Sequence, residues 1–240
     1  MPSNLELTDL RTKLNQMTER IVSRLKDRSR YALNASVYRI GEIPIDGRTG
    51  ISFFEFALEQ LEQYHAALGR YRFPDQYRLT NISPHTPVQR ARVPSSPIQQ
   101  VDIELKDAII TYYLALLQDL CEDSDDPTTY GETVYCDADL IVLLHERINL
   151  GRFVAESKFQ TDTSLQALAT SQDALRARLR KPKREQTVIT NARKIASRYN
   201  LNQDVIERCF RWLISKTLEV EIHYLQQRFD IKTQASHTGF

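Results

Sequence analysis

The chain reads as all-α, a multi-helix bundle, and three observations carry that reading. Apolar residues recur at three- and four-residue steps over most of its 240 positions, the period of a helix face laid on a core. No stretch alternates apolar and polar residues with the period of two that a half-buried strand requires. Only 7 glycines occur, and Gly41, Gly47, Gly50, Gly69, Gly131 and Gly239 fall where turns or helix ends are expected.

Residues 5–38 read as one long helix, with Leu7, Leu10, Leu14, Met17, Ile21 and Leu25 on its apolar stripe. A loop over 41–50 follows, marked by Gly41, Pro44, Asp46-Gly47 and Gly50. The aromatic run Phe53, Phe54, Phe56 with Leu58 and Leu61 predicts a second helix over 52–68, stopped by Gly69. Pro74, Pro84, Pro87, Pro94 and Pro97 make 73–98 a long connection, because proline cannot continue a helix or donate to a ladder. Helix resumes over about 99–121, breaks at the acidic turn Glu122 to Pro127, and returns from Asp137 through Phe159. Shorter helices are expected at 163–168, 171–179 and 183–199, and a last one over 203–227 behind an Asn202 N-cap. The expectation is a single domain spanning 1–240.

Charge excludes several functions. Lys and Arg number 32 against 31 Asp and Glu, a net charge of +1. No global basic excess points to nucleic acid or to an anionic membrane. The 3 cysteines, Cys121, Cys136 and Cys209, are odd in number and widely spaced, against a disulfide framework or a zinc site. No signal core or apolar run of membrane length is visible, so a cytoplasmic protein is expected. The scattered histidines His65, His85, His145, His223 and His237 read as ordinary surface or satisfied residues. No catalytic triad, metal motif or Gly-rich phosphate loop is recognisable, and no cofactor is expected.

The informative feature is charge placed in helix seams. Leu140, Leu144, Arg147, Gly151, Val154 and Lys158 follow helical steps along one stripe. Arg147 and Lys158 stand about 16 Å apart along such a helix. An unpaired buried charge costs several kcal/mol, so either both side chains snorkel to water or an anion neutralises them. Gly151 lies mid-helix at a cost of about 1 kcal/mol relative to Ala, which marks close approach by another group, here a ligand. The pattern recurs on other helices. Arg11 lies on the first stripe, Glu185 lies in line with Val188 and Ala192, and Thr217 and Glu221 continue the stripe of Ile206, Cys209, Phe210 and Leu213. Side chains from four helices thus converge on a polar pocket suited to a compact anion. There is also a faint duplication: the run from Arg28 to Arg39 lines up with that from Arg147 to Lys158, each with two basic residues 11 apart.

The block Arg147-Ile148-Asn149-Leu150-Gly151-Arg152-Phe153-Val154-Ala155-Glu156-Ser157-Lys158-Phe159-Gln160 resembles the signature helix of the eukaryotic-type chorismate mutases of yeast and plants. Leu10-Arg11, Ser36-Val37-Tyr38, Leu68-Gly69-Arg70-Tyr71 with Pro74-Asp75, Gly131 to Asp137, and Thr217 to Leu225 agree in order, so the likeness spans nearly the whole chain. It implies an all-helical homodimer that rearranges chorismate to prephenate on the way to phenylalanine and tyrosine. By the same resemblance Arg11 and Arg147 clamp the substrate carboxylates. Lys158 and Glu221 serve the ether oxygen, Glu185 holds the ring hydroxyl and Thr217 completes the wall. Lys181 stands near a family Asn and would either add a carboxylate contact or face water. An effector site for aromatic amino acids would use Arg70 and Gly131, but Glu132 replaces the family's Ser, so weak or absent regulation is expected. Two rivals follow: a related enzyme on a neighbouring substrate (isochorismate pyruvate lyase or an aminodeoxychorismate mutase), and a non-catalytic helical scaffold or effector.

Overall fold

The computed structural model describes residues 5–237 apart from 74, 84, 86 and 89–94, with backbone alone for 231–237. Seven α-helices occur among them: α1 Leu7–Arg28, α2 Phe53–Ala67, α3 Lys106–Leu120, α4 Tyr130–Thr161, α5 Gln172–Leu179, α6 Pro182–Arg198 and α7 Gln203–His237. Short 3₁₀ turns occupy Ala35–Tyr38, Pro127–Thr129 and Thr163–Leu168. Among the described residues there is no strand, only one isolated bridge between Ile45 and Arg48. No described helix is long and apolar enough to cross a membrane.

The axis of the fold is α4, packed against α7, α1, α2 and α3. From Leu140 to Ser157 every residue but Glu146 is buried. A single inward stripe is therefore the wrong picture for this helix: it is enclosed on all sides, and its buried polar residues point in several directions. Among them are His145, Asn149, Arg152, Glu156 and Ser157. His145 has its pKa pushed down to about 3 by burial and by nearby Arg152, so it stays neutral.

The first helix is shorter than its periodicity predicts, and Arg28 is the reason. Its guanidinium is fully buried and donates to the carbonyls of Tyr31 (3.2 Å), Ala32 (2.9 Å) and Leu33 (3.0 Å). Those carbonyls would otherwise be bonded along a continuing helix. Arg28 Nε also meets Asp137 Oδ1 at 2.6 Å, and Asp137 accepts from the hydroxyls of Tyr113 (2.6 Å) and Tyr38 (2.7 Å). Burial, the largest single influence, would lower the Arg28 guanidinium; Asp137, Tyr38, Cys121 and Tyr113 together outweigh it and hold the group above its ordinary value. Asn34 then takes a left-handed conformation, φ 54°, and its amide donates to Thr133 Oγ1 at 2.8 Å while its oxygen accepts from Asp126 N. The two copies of the faint duplication consequently fold differently. Residues 144–158 are helix within α4, whereas 29–39 leave the helix and Arg39 is exposed.

Other boundaries move for similar reasons. Helix α3 begins at Lys106 rather than near 99, because the preceding segment is tied down as extended chain. Arg152 donates to the carbonyls of Val101 and Ile103 while its guanidinium stacks 4.2 Å over the Tyr77 ring, and Gln99 N donates to Tyr224 Oη at 3.0 Å. Helix α2 opens with a Ser52/Glu55 capping box. Its buried Glu62 accepts from Leu79 N and Thr80 N, both at 2.8 Å. This gives part of the proline-rich connection a fixed course; its Pro74, Pro84 and Pro94 lie outside the described residues. Asn202 caps α7 as expected, accepting from Asp204 N at 2.9 Å, and the helix runs ten residues beyond the predicted 227.

Candidate active site

A cavity of about 280 Å³ opens between α1, α4, α6 and α7, with α5 and the 163–168 turn at its edge. Arg11, Arg147, Lys158, Glu185, Thr217 and Glu221 all line it, and Leu7, Leu14, Val154 and Val188 form its apolar wall. The six polar groups arrive on four helices. Arg11 comes from the second turn of α1, Arg147 and Lys158 from α4, Glu185 from the first turn of α6, and Thr217 and Glu221 from successive turns of α7.

The guanidinium of Arg147 is buried and only partly satisfied. Nη1 donates to Thr217 Oγ1 at 3.2 Å, while Nε has no partner. Thr217 Oγ1 gives its own proton to Leu213 O at 2.7 Å, which turns its lone pairs toward the arginine. Burial, and then the neighbouring Arg184, push Arg147 down to about 10, with Glu221 acting in the opposite sense. Lys158 Nζ lies 2.6 Å from Glu221 Oε2, so two heads from facing helices meet at one point. Burial raises the Glu221 carboxyl above its usual range, against the pull of Lys158, Arg147 and Arg184. Glu185 accepts from Lys181 N at 3.0 Å and is approached by Arg180 Nη2 at 3.4 Å.

The charge balance of the lining is one-sided. Arg11, Arg147, Lys158, Arg178, Arg180, Lys181 and Arg184 face only Asp162, Glu185 and Glu221. Lys158 is paired with Glu221, Arg178 with Asp162 at 2.5 Å and Arg180 with Glu185. Among the described residues no ion pair neutralises Arg11, Arg147, Lys181 or Arg184. Desolvated like charges of this kind are costly when empty and favourable around an anion.

One expected contact is corrected. Gly151 does not line the cavity. A Cβ there would sit 2.8 Å from Thr217 O and 3.2 Å from Thr217 Cγ2, so the group approaching this glycine is the backbone of α7, not a ligand. Lys181 occupies the N-cap position of α6 and is exposed, so it borders the cavity from the rim rather than from within. Nor are Arg70, Gly131 and Glu132 brought together within one chain. Arg70 pairs with Glu146 and lies 3.2 Å from His65 Nδ1. Gly131 and Glu132 stand exposed in the first turn of α4, about 21 Å back along the helix from Glu146. Sequence reasoning missed Arg184. The available signal was the basic run Arg176, Arg178, Arg180, Lys181, Lys183, Arg184 from α5 into the start of α6, which resembles a solvated face.

Fold and cavity together define a class: an all-helical bundle with a cation-rich cavity opening between its helices. Residues 129–222 match the family model described as chorismate mutase type II. The chorismate mutase of Trichoderma parareesei is 26% identical over 93% of this chain and 93% of its own. A crystal structure of the Candida albicans chorismate mutase Aro7p, complexed with L-Trp, superposes with a TM-score of 0.86 at 26% identity, over 94% of this chain and 92% of that one. AtCM1 with tyrosine bound in its allosteric site gives 0.84 at 26% identity over 94% and 97%. In sequence and in fold the chain is similar to the eukaryotic-type, all-helical chorismate mutases.

Proposed function

We propose that this protein is a chorismate mutase, converting chorismate to prephenate as a single helical domain. The observation that carries the reading is the convergence of Arg11, Arg147, Lys158 and Glu221, from three helices, on one cavity with an unneutralised excess of positive charge. A [3,3] rearrangement breaks an ether C–O bond and forms a C–C bond in one cyclic step, with no net proton transfer. It needs a flexible dianion held in a chair-like shape and a donor for the charge that grows on the ether oxygen. Arg147, oriented by Thr217, and Arg11 are assigned to the two carboxylates, since planar guanidiniums bind carboxylates bidentately. Lys158 and Glu221, whose heads lie 2.6 Å apart, are assigned to the ether oxygen, and Glu185 to the ring hydroxyl. The test is prephenate formation from chorismate by the purified chain, with and without added tyrosine or tryptophan. Turnover is expected, with less than a twofold response to either amino acid, because Arg70 is already held by Glu146. Absence of prephenate would overturn the reading.

Glu221 must be protonated to donate to the ether oxygen. Its raised pKa extends that form to higher pH, and activity falls as pH climbs through it. In Glu221→Gln the amide stays a neutral donor, so the alkaline limb of kcat/KM should flatten. An unchanged limb would remove Glu221 from this role.

A homodimer is proposed on the exposed Tyr64 and Leu68 of α2 and Tyr135 of α4, apolar surface of the kind subunit contacts cover. Sedimentation at twice the 27.9 kDa chain mass is expected. Free Cys121, Cys136 and Cys209 suit a reducing compartment, and a cytoplasmic location is proposed.

A further inference from the structure

Three guanidiniums lining the cavity, those of Arg11, Arg147 and Arg184, have no ion pair among the described residues, one more than the two that a dicarboxylate clamp requires. Arg184 stands on the first turn of α6, half-buried, and lines the chamber beside Arg11 and Arg147. Its neighbours in the basic run are otherwise engaged: Arg178 is tied to Asp162 and Arg180 to Glu185, while Lys183 is exposed. The Arg184 side chain has no hydrogen bond or ion pair among the described residues. We propose that Arg184 is a third cationic ligand of the substrate, sharing with Arg11 the carboxylate assigned to it and setting the enzyme's preference for a diacid. This rests on the chorismate mutase reading and goes beyond it.

Three features support the assignment. Arg184 feels burial and the field of Arg11, both lowering its pKa, with Glu221 acting against them. Arg147 in turn feels Arg184. All four groups therefore share one electrostatic environment. Three guanidiniums around one space repel when it is empty, so an anion that bridges them gains more than it would from any one alone. Finally, α6 holds Arg184 in a fixed direction, since its backbone N–H bonds to Lys181 O at 2.9 Å while Glu185 braces the same turn from Lys181 N. These bonds fix where the side chain leaves the helix, and the planar guanidinium itself supplies the fork that matches a carboxylate.

The test compares wild type with Arg184→Gln, Arg184→Lys and Lys183→Gln. Chorismate kinetics are measured alongside calorimetric binding of a non-reactive bicyclic dicarboxylate that mimics the chair-like transition state. Loss of a charge-assisted contact predicts a KM and a dicarboxylate Kd for Arg184→Gln that are roughly tenfold to hundredfold weaker. Its kcat should change far less, and its circular dichroism melt should match wild type. Arg184→Lys should fall between, and exposed Lys183→Gln should equal wild type. The alkaline limb of the Arg184→Gln pH profile should move upward, because one cation opposing protonation of Glu221 is gone. KM and dicarboxylate affinity within twofold of wild type in Arg184→Gln would overturn the assignment. A wild type that leaves chorismate unchanged would overturn the activity instead, and calorimetry, which needs no turnover, would still judge Arg184.

Discussion

Lys158→Ala should lower kcat by about 10²- to 10³-fold, the usual effect of deleting one preorganised donor at developing negative charge. The ammonium stands opposite Glu221 at 2.6 Å, with 18% of its side-chain surface exposed, inside a chamber walled by Leu14, Val154 and Val188. In such surroundings water cannot replace the lost donor. The ether oxygen carries little charge in the bound substrate and much more as its bond to carbon stretches. The loss should therefore appear in kcat rather than in KM. Stopped-time assays of prephenate formation would show it, and a variant with kcat within threefold of wild type would remove Lys158 from the reaction. Thermal stability should barely change, because Glu221, already raised by burial, takes up a proton when Lys158 is gone and leaves no buried unpaired charge.

The second large effect concerns stability. In Asp137→Ala the Arg28 guanidinium keeps its carbonyl partners but loses its counter-charge in a site where both side chains are fully buried. Removing one partner of such a pair costs about 3–5 kcal/mol, a large share of the total stability of an ordinary domain. Two tyrosine hydroxyls, those of Tyr113 and Tyr38, lose their acceptor as well. Urea titration should show the midpoint falling sharply with little change in slope. A loss under about 1 kcal/mol would mean that this network does not hold the end of α1.

Much of the site was legible before any coordinates, because Arg11, Glu185, Thr217 and Glu221 interrupt otherwise apolar stripes on amphipathic helices. There, a charge in the seam can only point inward. The same rule is weaker for α4. That helix is buried all round, so Arg147 and Lys158, which face the cavity, share it with Arg152 and Glu156, which fasten a strap and α7. Periodicity cannot separate them, since every face of the helix is interior; only the resemblance did. The fold boundaries failed where a side chain, not the local sequence, decides the backbone. Arg28 draws three carbonyls out of α1, and Arg152 keeps 99–105 extended. Arg152 reaches across 51 positions, and Arg28, though it bonds carbonyls only three to five residues on, is buried there by its pairing with Asp137, 109 positions away, which no local window contains. Arg184 was missed because its neighbours really are a solvated rim, and only the direction of one turn of α6 sets it apart.

Gly151 gives the chamber a hard stop. With a hydrogen atom where other residues carry a methyl, α4 settles directly on the main chain of α7 at Thr217, one turn from Arg147 and two from Lys158. The width of the reaction vessel is thus dictated by touching atoms, like the jaws of a vice closed against a shim, and not by the reach of pliable side chains. A molecule entering it meets walls already in their final position. The work of arranging them was completed when the chain folded.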